Sequence, residues 1–107
     1  MAARPPEHIF YSGGIDGNGL TTFQNQCLNV VSIYLPASSF ERITSKDNTV
    51  YLKAPIGNSG AQLFIYETEA GMHGPSLDRL FEQWDFRTPA DLITEVTTTL
   101  KALLPSP

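Results

Sequence analysis

Apolar and polar positions along this chain first alternate with a period close to two and later recur every three to four residues. The early part therefore predicts strands and the late part helices. Residues 8–11 (His-Ile-Phe-Tyr) read as a short strand ended by Ser12-Gly13-Gly14. Residues 20–24 read as its hairpin partner, joined through Asp16-Gly17-Asn18-Gly19, because Asp-Gly and Asn-Gly pairs between apolar runs favour tight turns. Residues 28–35, rich in β-branched and aromatic side chains, give the clearest strand signal, and Pro36 stops it. Residues 38–43 suit a single helical turn, and 45–48 a turn. Residues 49–54 and 61–68 then read as strands separated by the turn at 55–60.

The helical signals follow. Ser76 is placed to cap a helix whose apolar residues Leu77, Leu80, Phe81 and Trp84 fall at i, i+3, i+4 and i+7. A second helix is expected from Thr88 as cap, with Pro89 at the first helical position and Asp91 completing a capping-box-like pair. Its apolar stripe is Leu92, Val96, Leu100 and Leu103, joined by Ile93 and Leu104. The expected fold class is α+β: an antiparallel sheet of four to five strands, a first hairpin and then a meander, with two C-terminal helices packed on one face. Residues 1–7 read as a loose leader, 8–104 as one domain and 105–107 as a frayed end.

The strands carry a second message. Val50, Leu52, Leu63 and Ile65 alternate with Tyr51, Lys53, Phe64 and Tyr66, so both faces of the sheet are largely apolar. A sheet with one wet face alternates apolar with polar instead. With Tyr34 added from residues 28–35, the aromatic face is Tyr34, Tyr51, Phe64 and Tyr66. It needs a cover, either the first hairpin, a second copy of the chain, another protein or a ligand.

Composition narrows the function. The 107 residues are 41% hydrophobic, enough for an independent core, and the net charge is −4 with only seven Lys and Arg. That scatter of cations disfavours nucleic acid and anionic membrane surfaces as partners. Cys27 is the one cysteine, which excludes an intramolecular disulfide framework and favours a reducing, cytoplasmic setting.

Candidate chemistry is sparse. Written against a calcium-binding EF-hand loop, Asp16, Asn18 and Gly19 occupy fitting positions, but Gly14 and Asn25 stand where the two anchoring ligands belong. Asp16 is thus a weak metal candidate, and the segment reads better as a glycine-rich turn. No cofactor is expected. Cys27 has no neighbouring base to activate it. His73, in a glycine-flanked segment, and the glutamates Glu67 and Glu69 are weak candidates for an acid–base pair in a pocket between sheet and helices. The favoured expectation is a small acidic, non-catalytic module that binds another protein, or a second copy of itself, through the aromatic face. The alternative is a small enzyme or ligand-binding domain using His73 with Glu67 or Glu69.

Overall fold

The computed structural model describes residues 17–104. It is an α+β fold: a five-stranded antiparallel sheet and two α-helices. Helix α1 (Thr22–Val31) comes first, then strands β1 (Glu41–Thr44), β2 (Val50–Pro55), β3 (Gln62–Ile65), β4 (Ala70–Gly74) and β5 (Leu77–Phe81), and finally helix α2 (Pro89–Leu103). The strands lie side by side in chain order, a simple meander.

Two sequence expectations are corrected here. Residues 22–31 are helical, so neither the hairpin partner at 20–24 nor the strand at 28–35 forms. Thr21 begins a capping box: Gln24 N donates to Thr21 Oγ1 (3.1 Å) and Thr21 N donates to Gln24 Oε1 (2.8 Å). Phe23, Cys27 and Val31, spaced by four, supply the buried stripe that overrides the strand propensity of Val30 and Val31. The second correction is the helix at Ser76. Residues 77–81 are strand β5, and Pro75-Ser76 is the two-residue link of a β4–β5 hairpin in which Gly74 faces Leu77 and His73 faces Asp78. Leu77 and Phe81 share a face in a strand as well as in a helix, which is why the spacing misled. The helices therefore flank the sheet in sequence, one on each side.

Other expectations hold. The meander, β2, β3 and the turn between them appear where the alternation placed them, although β3 stops at Ile65. Helix α2 starts at Pro89 with Thr88 Oγ1 accepting from Asp91 N (3.1 Å). Its threonines are accommodated because Thr97 and Thr99 donate their hydroxyls to Ile93 O and Glu95 O one turn back. Of the helical turn at 38–43, only Ala37–Ser39 forms, as a 3-10 turn leading into β1. The strand at residues 8–11, the leader at 1–7 and the end at 105–107 lie outside the described residues.

The core is one hydrophobic cluster. Leu52 and Ala54 of β2, Leu63 and Ile65 of β3, Ala70 and Met72 of β4 and Phe81 of β5 join Phe23, Cys27 and Val31 of α1 and Leu92, Val96 and Leu100 of α2. At the β5 edge, Arg79 donates to Glu95 Oε2 and Thr99 Oγ1 of α2, both at 3.1 Å, and its guanidinium lies 4.4 Å from the Phe81 ring centroid. The β1–β2 turn is fixed by Asp47, whose carboxylate accepts from the hydroxyls of Ser45 and Thr49 and is thereby held down to about 2.

A buried polar clasp ties α1 to the sheet. Gln24, 1% exposed, donates from Nε2 to Val50 O (2.7 Å) and Ile65 O (3.4 Å), while Thr21 donates from Oγ1 to Glu67 O (2.6 Å). Replacing Gln24 with Met strands these buried partners, and the expected loss is about 1–3 kcal/mol in urea denaturation, the usual cost of an unpaired buried group. A second position tests the packing. A Cβ on Gly74 would lie 2.7 Å from Ala61 Cα, and that atom is backbone. Gly74→Ala should therefore destabilise by roughly 1–3 kcal/mol in the same measurement, as overpacked cores do.

Candidate functional site

The residues that alternate with the core row form the other face of the sheet: Ile43 of β1, Tyr51 and Lys53 of β2, Phe64 of β3, Gly71 and His73 of β4, Asp78 and Leu80 of β5. Their rings pack together. Tyr51 lies 6.2 Å from Phe64 and 5.7 Å from Tyr66, and Phe64 stacks on Tyr66 at 6.0 Å with their planes 9° apart. His73 adds a fourth ring, 5.2 Å from Phe64. Gly71 makes room for this cluster. It faces Phe64 across the β3–β4 ladder, and a Cβ there would meet His73 Nε2 at 2.9 Å and Tyr66 Cε2 at 3.5 Å.

The face is open. Tyr51, Phe64, Tyr66 and His73 are half-buried, and Leu80, opposite Gly71, is 46% exposed. A row of aromatic and aliphatic side chains in this state costs hydration and is the usual mark of a contact surface.

Of the aromatic residues expected together, the structure unites Tyr51, Phe64 and Tyr66. Tyr34 stands apart, in the turn after α1, with Lys101 Nζ 5.9 Å from its ring centroid. It left the sheet because residues 22–31 are helical.

The acid–base candidates are separated in the same way. His73 lies four residues along β4 from Glu69, roughly 13 Å at the rise of a strand. It is on the face that turns away from the core row, and its Nδ1 sits 2.5 Å from Asp78 Oδ1, with both side chains exposed. Glu67 and Glu69 belong instead to the β3–β4 turn, where Tyr66 N donates to Glu69 O (2.8 Å). There they meet Tyr51 and Tyr66 around a cleft of about 220 Å³ at the end of the sheet. Glu69 Oε2 accepts from Gln83 N (3.2 Å). Partial burial, with Glu82 and Asp85 nearby as further negative charge, pushes its carboxyl above the usual range, against the lowering effect of the Gln83 bond. Burial and the neighbouring Tyr51 likewise raise the Tyr66 phenol.

No protein-family model, curated protein or solved structure matches the chain.

Cys27 is in the core, where burial pushes its thiol up to about 12, so it is a packing residue and a poor nucleophile. Asp16 lies outside the described residues. Among the described residues no group of three or more His, Cys, Asp or Glu is placed to hold a metal ion, and no helix is long and apolar enough to cross a membrane. A larger groove of about 490 Å³ runs between the helices, lined by Val30, Ile93, threonines of α2 and Lys101. Sequence reading missed it because it depends on α1 being a helix.

The Glu69 carboxyl yields a pH prediction. Its folded-state pKa is raised, so the folded chain holds this proton more tightly than the unfolded chain. Its contribution to stability is present at low pH and is lost as pH rises from the ordinary carboxylate range through the raised value. The Tm of Glu69→Gln relative to the native protein should accordingly rise between pH 4 and pH 7. A difference that is flat or falls over that window would contradict the assignment.

Proposed function

We propose that this protein is a small acidic, non-catalytic interaction module, of adaptor, inhibitor or immunity type, that binds another protein through the aromatic face of its sheet. The observation that carries the reading is the packed, partly exposed ring cluster of Tyr51, Phe64, Tyr66 and His73, continued by the exposed Leu80. On this reading both helices pack on the opposite face, and a sheet covered on one side presents its other side. Rigid aromatic side chains give large contact area at small entropic cost, and tyrosine offers a hydroxyl to a polar partner. Lys53 and Glu41, 4.0 Å apart on this face, and the Glu67–Glu69 turn supply a polar rim. A second copy of the chain is the simplest such partner, and the single buried thiol suits a reducing, cytoplasmic setting.

The enzymatic alternative draws less support. His73 has a carboxylate partner in Asp78, but the pair is solvent-exposed, and neither Glu67 nor Glu69 is within reach of it. An exposed imidazole–carboxylate pair is an ordinary surface feature worth little to stability.

Affinity capture from the source cells, with light scattering of the purified protein, tests the reading. Phe64→Asp and Leu80→Asp should weaken partner capture, or dissociate a homodimer, at least about thirtyfold, the effect of losing a central contact residue. Thr98→Asp, on the helix layer, should leave both unchanged. Capture and oligomeric state that survive Phe64→Asp and Leu80→Asp would remove the aromatic face from consideration.

A further inference from the structure

The cleft at the end of the aromatic face differs from the rest of that face. Its volume, about 220 Å³, is right for one side chain and too small for a folded element. Two of its lining residues are Tyr51 and Tyr66, whose rings lie 5.7 Å apart and inclined at 45° to each other. Glu67 and Glu69 line it, and no Lys or Arg among the described residues does. The Glu67 carboxylate makes no hydrogen bond or ion pair with any other described residue. Lys53, the cation on the strand and face of Tyr51, is directed to Glu41. Glu82 and Asp85 add negative charge beside Glu69, in a chain whose net charge is already −4.

We propose that this cleft receives the guanidinium group of an arginine presented by the partner protein. This inference rests on the aromatic face being the contact surface, and it names the chemistry of one contact there. A cation packed against a tyrosine ring gains cation–π attraction, and the Glu67 carboxylate, without a partner among the described residues, supplies the counter-charge. Arginine fits better than lysine because its planar head stacks on a ring while its edge bonds a carboxylate, whereas an ammonium is a strongly hydrated point charge. The site is also held ready. Thr21 Oγ1 fixes Glu67 O and Gln24 Nε2 fixes Val50 O from behind, so two of the lining residues are anchored to α1 before anything binds. Such preorganisation lowers the ordering cost of binding. The half-buried state of Glu69 works in the same direction, since a bound cation offsets its desolvation.

Titration of the ¹⁵N-labelled protein with the blocked peptide acetyl-Gly-Arg-Gly-amide, followed by NMR, tests the assignment directly. Saturable shifts are expected at the amides of Tyr51, Tyr66 and residues 67–69, with a Kd on the order of millimolar for a single side chain. The citrulline peptide, the same shape without the charge, should bind at least tenfold more weakly, and the lysine peptide more weakly than arginine. Glu67→Gln and Glu69→Gln together should abolish saturation, and the amide oxygen introduced at position 69 can still accept from Gln83 N as the carboxylate does. Absent or unsaturable shifts, equal binding of citrulline, tighter binding of lysine, or shifts confined to the groove between α1 and α2 would each overturn the proposal. The face reading fails separately. If Phe64→Asp and Leu80→Asp abolish partner capture while the arginine peptide leaves the cleft undisturbed, the inference falls and the contact face stands. If the peptide binds and those variants change nothing, the cleft stands as a cation site without the wider face.

Discussion

The side chain of Gln24 is where helix, sheet and cleft meet. Its amide is almost wholly buried, and buried amides are stable only when their donors and acceptors are matched. Here the oxygen closes the capping box that starts α1, while the nitrogen spans the carbonyls of Val50 and Ile65 on adjacent strands. One residue therefore sets where the first helix begins and which end of the sheet it is fastened to. Thr21 extends the clasp to the β3–β4 turn through Glu67 O. Strand pairing alone would leave the orientation of α1 to apolar packing, which is non-directional. The hydrogen bonds supply the direction.

That fastening divides the labour between the faces of the sheet. Phe23, Cys27 and Val31 belong to the same buried cluster as Leu63, Ile65 and the α2 stripe. The aromatic row is then stabilised laterally, by ring on ring, and by the missing side chain at Gly71 that lets Tyr66 and His73 close over β4. The same clasp that fastens α1 to the sheet fixes the turn beside the cleft, so folding and the geometry of the cleft depend on shared bonds.

Much of this was legible in the sequence, and the failures have physical causes. The two-faced alternation in β2 and β3 announced the aromatic face, and Thr88-Pro89 with Asp91 announced α2. Helix α1 was missed because Val30, Val31 and Ile33 carry strand propensity, and propensity loses to a capping box with a buried stripe at Phe23, Cys27 and Val31. The signal was present in Thr21-Thr22-Phe23-Gln24. The helix at Ser76 was predicted because Leu77 and Phe81 satisfy both periods over so short a run. What decided for strand was the hairpin with β4, closed across Pro75-Ser76, a tertiary pairing that periodicity does not encode. Both errors displaced site residues: Tyr34 left the face with the lost strand, and Asp78 and Leu80 entered it with the gained one. The His73–Asp78 pair was invisible for the same reason.

The central claim is that the aromatic face is the surface through which this protein works. A photoreactive p-benzoylphenylalanine placed at Phe64, and at Thr98 on the helix layer as reference, reads that surface in living cells. The account predicts a discrete covalent adduct, to a partner or to a second copy of the chain, from position 64 and none from position 98. An adduct from position 98 with none from position 64 would contradict it.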